Sequence, residues 1–278
     1  DTALNLSSAS GNGNMAIISG GATTQLFYIS SGNLRITDLI LEHGKSDYGG
    51  ALHVKVTSTT SARVHLLRSL VRGCEATENG GAAYASDGGV LVLEESILES
   101  NTADDGGGFY SSGSTTVVEV IGKSLVRNNK AQAAGGLMIG EGSRLHVSGT
   151  EAQLVVDCNT VETFGGGVYA RAGGTVSVSS GGRMFVTNNT AKTKVYGGAG
   201  VYLHDKGTLI DVSGAGSHLS VDRNMADGRG GGVFALYFAA VSVSSGGRMT
   251  VTKNTAKNGG GGVHLDMKET RLDVSGTG

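Results

Sequence analysis

The chain has 278 residues, 38% of them hydrophobic, with 48 glycines, no proline, no tryptophan and a net charge of −2 from 22 basic and 24 acidic side chains. Collagen is excluded by the missing Gly-X-Y period and missing proline, and a disordered chain by Val and Leu alternating with Ser and Thr throughout. The mixed charge offers no basic run for nucleic acid or anionic lipid, and no stretch approaches the roughly 18–20 apolar residues of a membrane-spanning helix.

Residues 1–30 are read as an entry coil and 31–278 as regular repeats of one domain. The opening DTALNLSSAS lacks the basic and apolar regions of a leader peptide. Blocks headed by paired glycines then recur at Gly49, Gly80, Gly106, Gly135, Gly165, Gly198, Gly230 and Gly260. The 211 residues from Gly49 to Gly260 make seven steps of about 30, a solenoid period. Ahead of most blocks stands an Asn, giving a column of Asn101, Asn129, Asn159, Asn189, Asn224 and Asn254, with Gly44 and Cys74 in that place in the first two repeats.

Between consecutive blocks lie two more short segments in which apolar residues alternate, such as Val176 and Val178 in TVSVSS, then Met184 and Val186 in RMFVTN. Alternation bounded by Gly, Ser and Asn indicates strands. Three short strands per repeat leave an apolar face that only stacking can cover. The sequence therefore predicts an all-β, right-handed parallel β-helix of eight to nine coils with three strands each. Its predicted internal stacks are Val168, Val201, Val233 and Val263; Val147, Val178, Val212 and Val243; and Val126, Val156, Val186, Val221 and Val251. The Asn column is read as structural, with amides turned inward to satisfy backbone groups of neighbouring coils.

The nonapeptide VSVSSGGRM at 176 to 184 returns at 241 to 249, and SRLHVSGTEAQLVVDCN at 143 to 159 resembles TLIDVSGAGSHLSVDRN at 208 to 224. Both offsets are 65 residues, so two coils form a super-repeat. The final TRLDVSGTG, 270 to 278, opens a third copy, so the chain is expected to be part of a longer protein.

Cys74 and Cys158 fall three coils apart, roughly 14 Å at about 4.8 Å per coil, which predicts two free thiols. The seven histidines are dispersed, His53 and His264 sharing a column at opposite ends. Zinc spacing and the calcium-binding GGxGxD nonapeptide are absent, and Asp104 and Asp105 read as solvated. No cofactor or metal is expected. Carbohydrate-active β-helices need clustered carboxylates on one face, and the acids here fall out of register. Neither a GxSxG elbow nor a P-loop occurs. One outward column, His53, Tyr84, Tyr110, Ile139, Tyr169, Tyr202, Phe234 and His264, is either coil-to-coil stacking or, if it faces solvent, a contact stripe for glycan or protein. Asn5 (NLS) and Asn188 (NNT) are candidate glycosylation sequons.

The glycine block and the Asn marker together resemble the repeats of chlamydial polymorphic outer membrane proteins, whose short motifs are GGA followed by Ile, Leu or Val, and FxxN. GGAL at 49 to 52 fits the first, and FVTN at 185 to 188 fits the second, with Val or Leu in the Phe place elsewhere. The resemblance covers about residues 30 to 278 and implies a surface-exposed, adhesin-like, pectin-lyase-type β-helix. The expectation is a non-enzymatic structural or adhesive module, extracellular or at the cell surface, contacting other protein subunits or further repeats. The alternative is a polysaccharide-binding or polysaccharide-degrading β-helix with glycan as partner. An ice-binding solenoid would need a regular Thr array, which is missing.

Overall fold

The computed structural model describes residues 3–8, 15–57, 59–195 and 197–275. Their strands pair in parallel and gather into four sheets of 10, 9, 9 and 8 strands, labelled A, B, C and D by first appearance. A single coil shows the plan: after the Gly198 block, Val201–His204 lies in sheet C, Leu209–Ser213 in A, His218–Asp222 in B and Met225–Ala226 in D. About nine turns of roughly 30 residues stack in this way into a parallel β-solenoid, and no helix interrupts the described residues.

Three strands per coil is corrected to four. The extra strand follows each Asn, and it shortens from Glu75–Asn79 near the start to the two residues Thr190–Ala191 further on. Two residues carry too little alternation to be read as a strand. Their inward side chains are small, and Val161, Ala191, Ala199 and Ala226 pack into a minor core of their own.

The three valine stacks stand in register, one in each of sheets A, B and C. Val147, Val178, Val212 and Val243 are successive partners in sheet A, and Val126, Val156, Val186, Val221 and Val251 in sheet B. Sheet C holds Val168, Val201, Val233 and Val263. Parallel strands suit β-branched residues, whose stiff side chains pack against copies of themselves one coil away. One apolar core runs unbroken from Ile29 to Val243.

The corner between sheets B and D is held by the asparagines. The Asn129 backbone N–H and its Nδ2 both donate to Asn159 Oδ1, at 3.0 Å each, while Asn159 repeats the pattern onto Asn189 Oδ1. Nδ2 of Asn159 also donates to Val126 O of the preceding coil, 3.0 Å away. The same three bonds recur from Asn101 to Asn224, and Asn101 through Asn224 are buried. Towards the N-terminus, Cys74 N–H donates to Asn101 Oδ1 at 3.0 Å, and Gly44 N–H donates to Cys74 Sγ at 3.4 Å.

The glycines make room for this ladder. A Cβ on Gly167 would stand 2.8 Å from Asn189 Nδ2 and 2.7 Å from Gly200 O, so a methyl there would push the ladder apart. A shorter polar run sits at the A/B corner of early coils, where Ser69 N–H donates to Ser96 Oγ and Ser96 N–H to Ser124 Oγ, at 3.1 and 3.2 Å. Later coils turn that corner with glycine: in VSVSSGGRM, Gly181 has φ +85°, Val176 and Val178 point inward, and Met184 returns to the core.

Replacing Asn159 by Ala leaves the Asn129 N–H buried without an acceptor, takes one of two acceptors from its amide and leaves Val126 O without the Asn159 donor. The expected loss is about 2–4 kcal/mol of unfolding free energy. Asn254→Ala, at the less buried end of the ladder, should lower stability less. Thermal unfolding followed by circular dichroism compares the two.

Candidate functional site

The aromatic column stands in register on sheet C, but on the side that folds against the segment arriving from sheet D. Its members are Tyr28, which is exposed at the N-terminal end, then His53, Tyr84, Tyr110, Met138, Tyr169, Tyr202, Phe234 and His264. Ile139 does not belong to it: Ile139 is fully buried in the main core as the partner of Ser111 and Ala170. The shift arises because Ala134, at φ +56°, takes the first block position that glycine holds elsewhere, so the block starts one residue before Gly135.

Of the two readings of this column, stacking between coils is the one that its burial fits. Tyr110, Tyr169 and Tyr202 are 3%, 8% and 3% exposed and Phe234 is 0%. Tyr84 is half-buried. The rings contact one another from coil to coil, Tyr84–Tyr110 at 5.5 Å, Tyr169–Tyr202 at 4.9 Å and Phe234–His264 at 4.8 Å between centroids. Ala133, at the end of a sheet D strand, and Phe164, from a D-to-C connection, lie over them, and Phe164 stacks on Tyr202 at 5.2 Å. Glycine at the head of the block permits this cover. Gly165 has φ +70°, and its Cβ would fall 2.6 Å from that of Tyr169. The column is a second core outside the coil.

Polar groups gather around this corner. Arg171 Nη2 donates to the Tyr110 hydroxyl at 3.3 Å, and Ser112 Oγ to Glu141 Oε2 at 2.6 Å. Burial pushes the Tyr169 phenol up to about 12 and the Asp105 carboxyl above its usual range, with Arg171 partly opposing the latter. Asp105 is therefore half-buried and not solvated, whereas Asp104 is exposed. Burial, reinforced by Lys55, holds the His53 imidazole down at about 4. Such a set can hold a phenol protonated, but it does not supply the two facing carboxylates of a glycosidase. Among the described residues no group of three or more His, Cys, Asp or Glu side chains could hold a metal ion.

Cys74 is buried and Cys158 exposed, and both are free thiols. Of the two sequons, Asn5 is exposed on sheet A, and Asn188 is exposed with its Nδ2 donating to Asp157 Oδ1 at 2.8 Å.

A feature missed in the sequence lies on the outer face of sheet B. Six consecutive coils place Ile40, Leu70, Ile97, Leu125, Val155 and Phe185 at one outward, half-buried position. The signal was an apolar residue between charged ones, as in RSLVR and EESILE. It is hidden by the core residues that alternate with it.

Comparison with family models, with curated proteins and with solved structures gave no match for this chain.

Two outcomes check the covered corner. Tyr169→Ala opens a cavity among packed rings and should lower stability by about 3 kcal/mol, measured by chemical denaturation; an exposed contact residue would leave it unchanged. His53 is neutral when folded, while unfolded imidazole titrates near 6.5. Between pH 6.5 and about 4 the unfolded chain takes up a proton that the folded chain refuses, so stability falls on acidification through that window. His65 and His218, also lowered by burial, act with the same sign. His53→Tyr should make the melting temperature fall less steeply with pH.

Proposed function

We propose that the chain is a non-enzymatic, rigid segment of an extracellular or cell-surface assembly that works through protein contacts. What carries the reading is the destination of its chemistry-bearing side chains. Asparagines, serines and aromatics at repeating positions are spent between coils, in the ladder and the covered corner, and not on an open groove. At about 4.8 Å per coil, nine turns give a rod of roughly 43 Å. A continuous core along that length resists bending. The resemblance to polymorphic outer membrane protein repeats supports an adhesin-like role at a surface. No helix among the described residues is long and apolar enough to cross a membrane.

A polysaccharide-active β-helix is the second reading, and Asp105 favours it. Burial holds its carboxyl above the ordinary range against the opposing charge of Arg171, the direction a general acid requires.

Reducing-end assays on a panel of neutral and acidic polysaccharides separate the two. The expected outcome is no turnover by the purified chain. Turnover that disappears in Asp105→Asn, with the fold intact by circular dichroism, would sink the structural reading.

A further inference from the structure

The outer face of sheet B carries more than its apolar row. Charged side chains stand two residues after the row, within the strands, and two residues before it, at or beside the turn from sheet A, where Asp38, Arg68 and Glu95 have φ of +54°, +44° and +50°. In each of four successive coils both have one sign. Asp38 and Glu42 flank Ile40, Arg68 and Arg72 flank Leu70, Glu95 and Glu99 flank Ile97, and Lys123 and Arg127 flank Leu125. The sign alternates from coil to coil. Neighbouring coils neutralise each other: Arg68 and Asp38 meet through two bonds of 2.8 Å, Arg72 reaches Glu42 at 2.7 Å and Arg127 reaches Glu99 at 2.7 Å. These pairs lock long side chains beside the apolar row and leave it open between them.

Such a face is complementary to itself in one arrangement. A two-fold axis along the solenoid axis would set each coil against its own equivalent, acid on acid and base on base. A two-fold axis along the strand direction reverses the coil order. When it passes between the Leu70 and Ile97 coils, Leu70 meets Ile97 of the other copy and Ile40 meets Leu125. Arg68 and Arg72 then face Glu95 and Glu99, while Asp38 and Glu42 face Lys123 and Arg127, so all eight charges meet the opposite sign. Isologous contact of this kind is the commonest route to a closed dimer. Charge complementarity fixes its register while the apolar row supplies the contact.

We propose that the outer face of sheet B binds a second copy of this chain, antiparallel, about a two-fold axis between the Leu70 and Ile97 coils. The inference rests on the reading of the chain as a rod that works by protein contact, and it names the partner.

Sedimentation equilibrium of the wild-type chain from micromolar to submillimolar concentration tests it. The expected result is a monomer–dimer equilibrium that weakens as salt rises. A double variant Arg68→Glu/Arg72→Glu sets acid against acid on both sides of the axis, and Glu95→Arg/Glu99→Arg sets base against base. Each alone should dimerise at least about tenfold more weakly. An equimolar mixture of the two should recover a heterodimer, because the reversed signs then match across the axis. A wild-type chain that remains monomeric overturns the proposal whatever the variants do, including one that binds a different protein through this face. Folded variants that dimerise like wild type, or a folded pair that fails to recover, also overturn it. A monomeric chain without polysaccharide turnover removes only the dimer, whereas turnover removes the rod reading beneath it.

Discussion

Everything in this solenoid depends on the asparagine ladder at the B/D corner. A coil that turns sharply must bury backbone N–H and C=O groups where no strand partner lies opposite them. One side chain per coil meets that demand in both directions, accepting from the coil before it and donating to the coils on both sides. Because the bonds between asparagines are made to the equivalent residue one coil away, the ladder fixes register along the rod, and a slip of one residue would break every rung. The valine stacks gain their regularity from that fixed register. Glycine in the third block position follows from the same cause, since the amide of the next coil occupies the space of its missing Cβ.

The aromatic corner solves a different problem. Short strands in sheet D, down to two residues, bury little apolar area by themselves. Folding the D-to-C connection over a ring in each coil anchors that edge of the solenoid with large side chains. The glycine of positive φ that heads the block brings the backbone close enough for the ring to be covered. Two cores result, one inside the coil and one in the crook between two sheets. Burial in the second explains why a phenol, an imidazole and a carboxyl there depart from their ordinary titration.

Much of the interior was legible because an inward residue repeats its identity at each coil: Val178 and Val212, or Asn159 and Asn189, show their alignment by recurrence. The fourth sheet was not, since Thr190–Ala191 is too short to alternate. Met138 was hidden by Ala134, which replaces the glycine that marks the block elsewhere. Whether Tyr169 and Tyr202 face water is set by how the D-to-C connection folds over them, and periodicity along the chain is silent on that angle. The outer face of sheet B escaped for the opposite reason. Its apolar row lies among equally apolar core neighbours, and only the register separates Ile97 from Leu98.

The ladder is also directional, and this makes the solenoid modular. Each rung offers a carbonyl oxygen to the coil before it and takes one from the coil after it, so every internal coil has the same two connectors. Whole coils can be added or lost within the run without any new polar chemistry, and the 65-residue echo of VSVSSGGRM fits that modularity. The two ends of the run are unlike in return. One needs a neighbour that donates, as Cys74 and Gly44 do through their backbone N–H groups. The other needs a neighbour that accepts. A rod built on these connectors can therefore lengthen in register only head to tail.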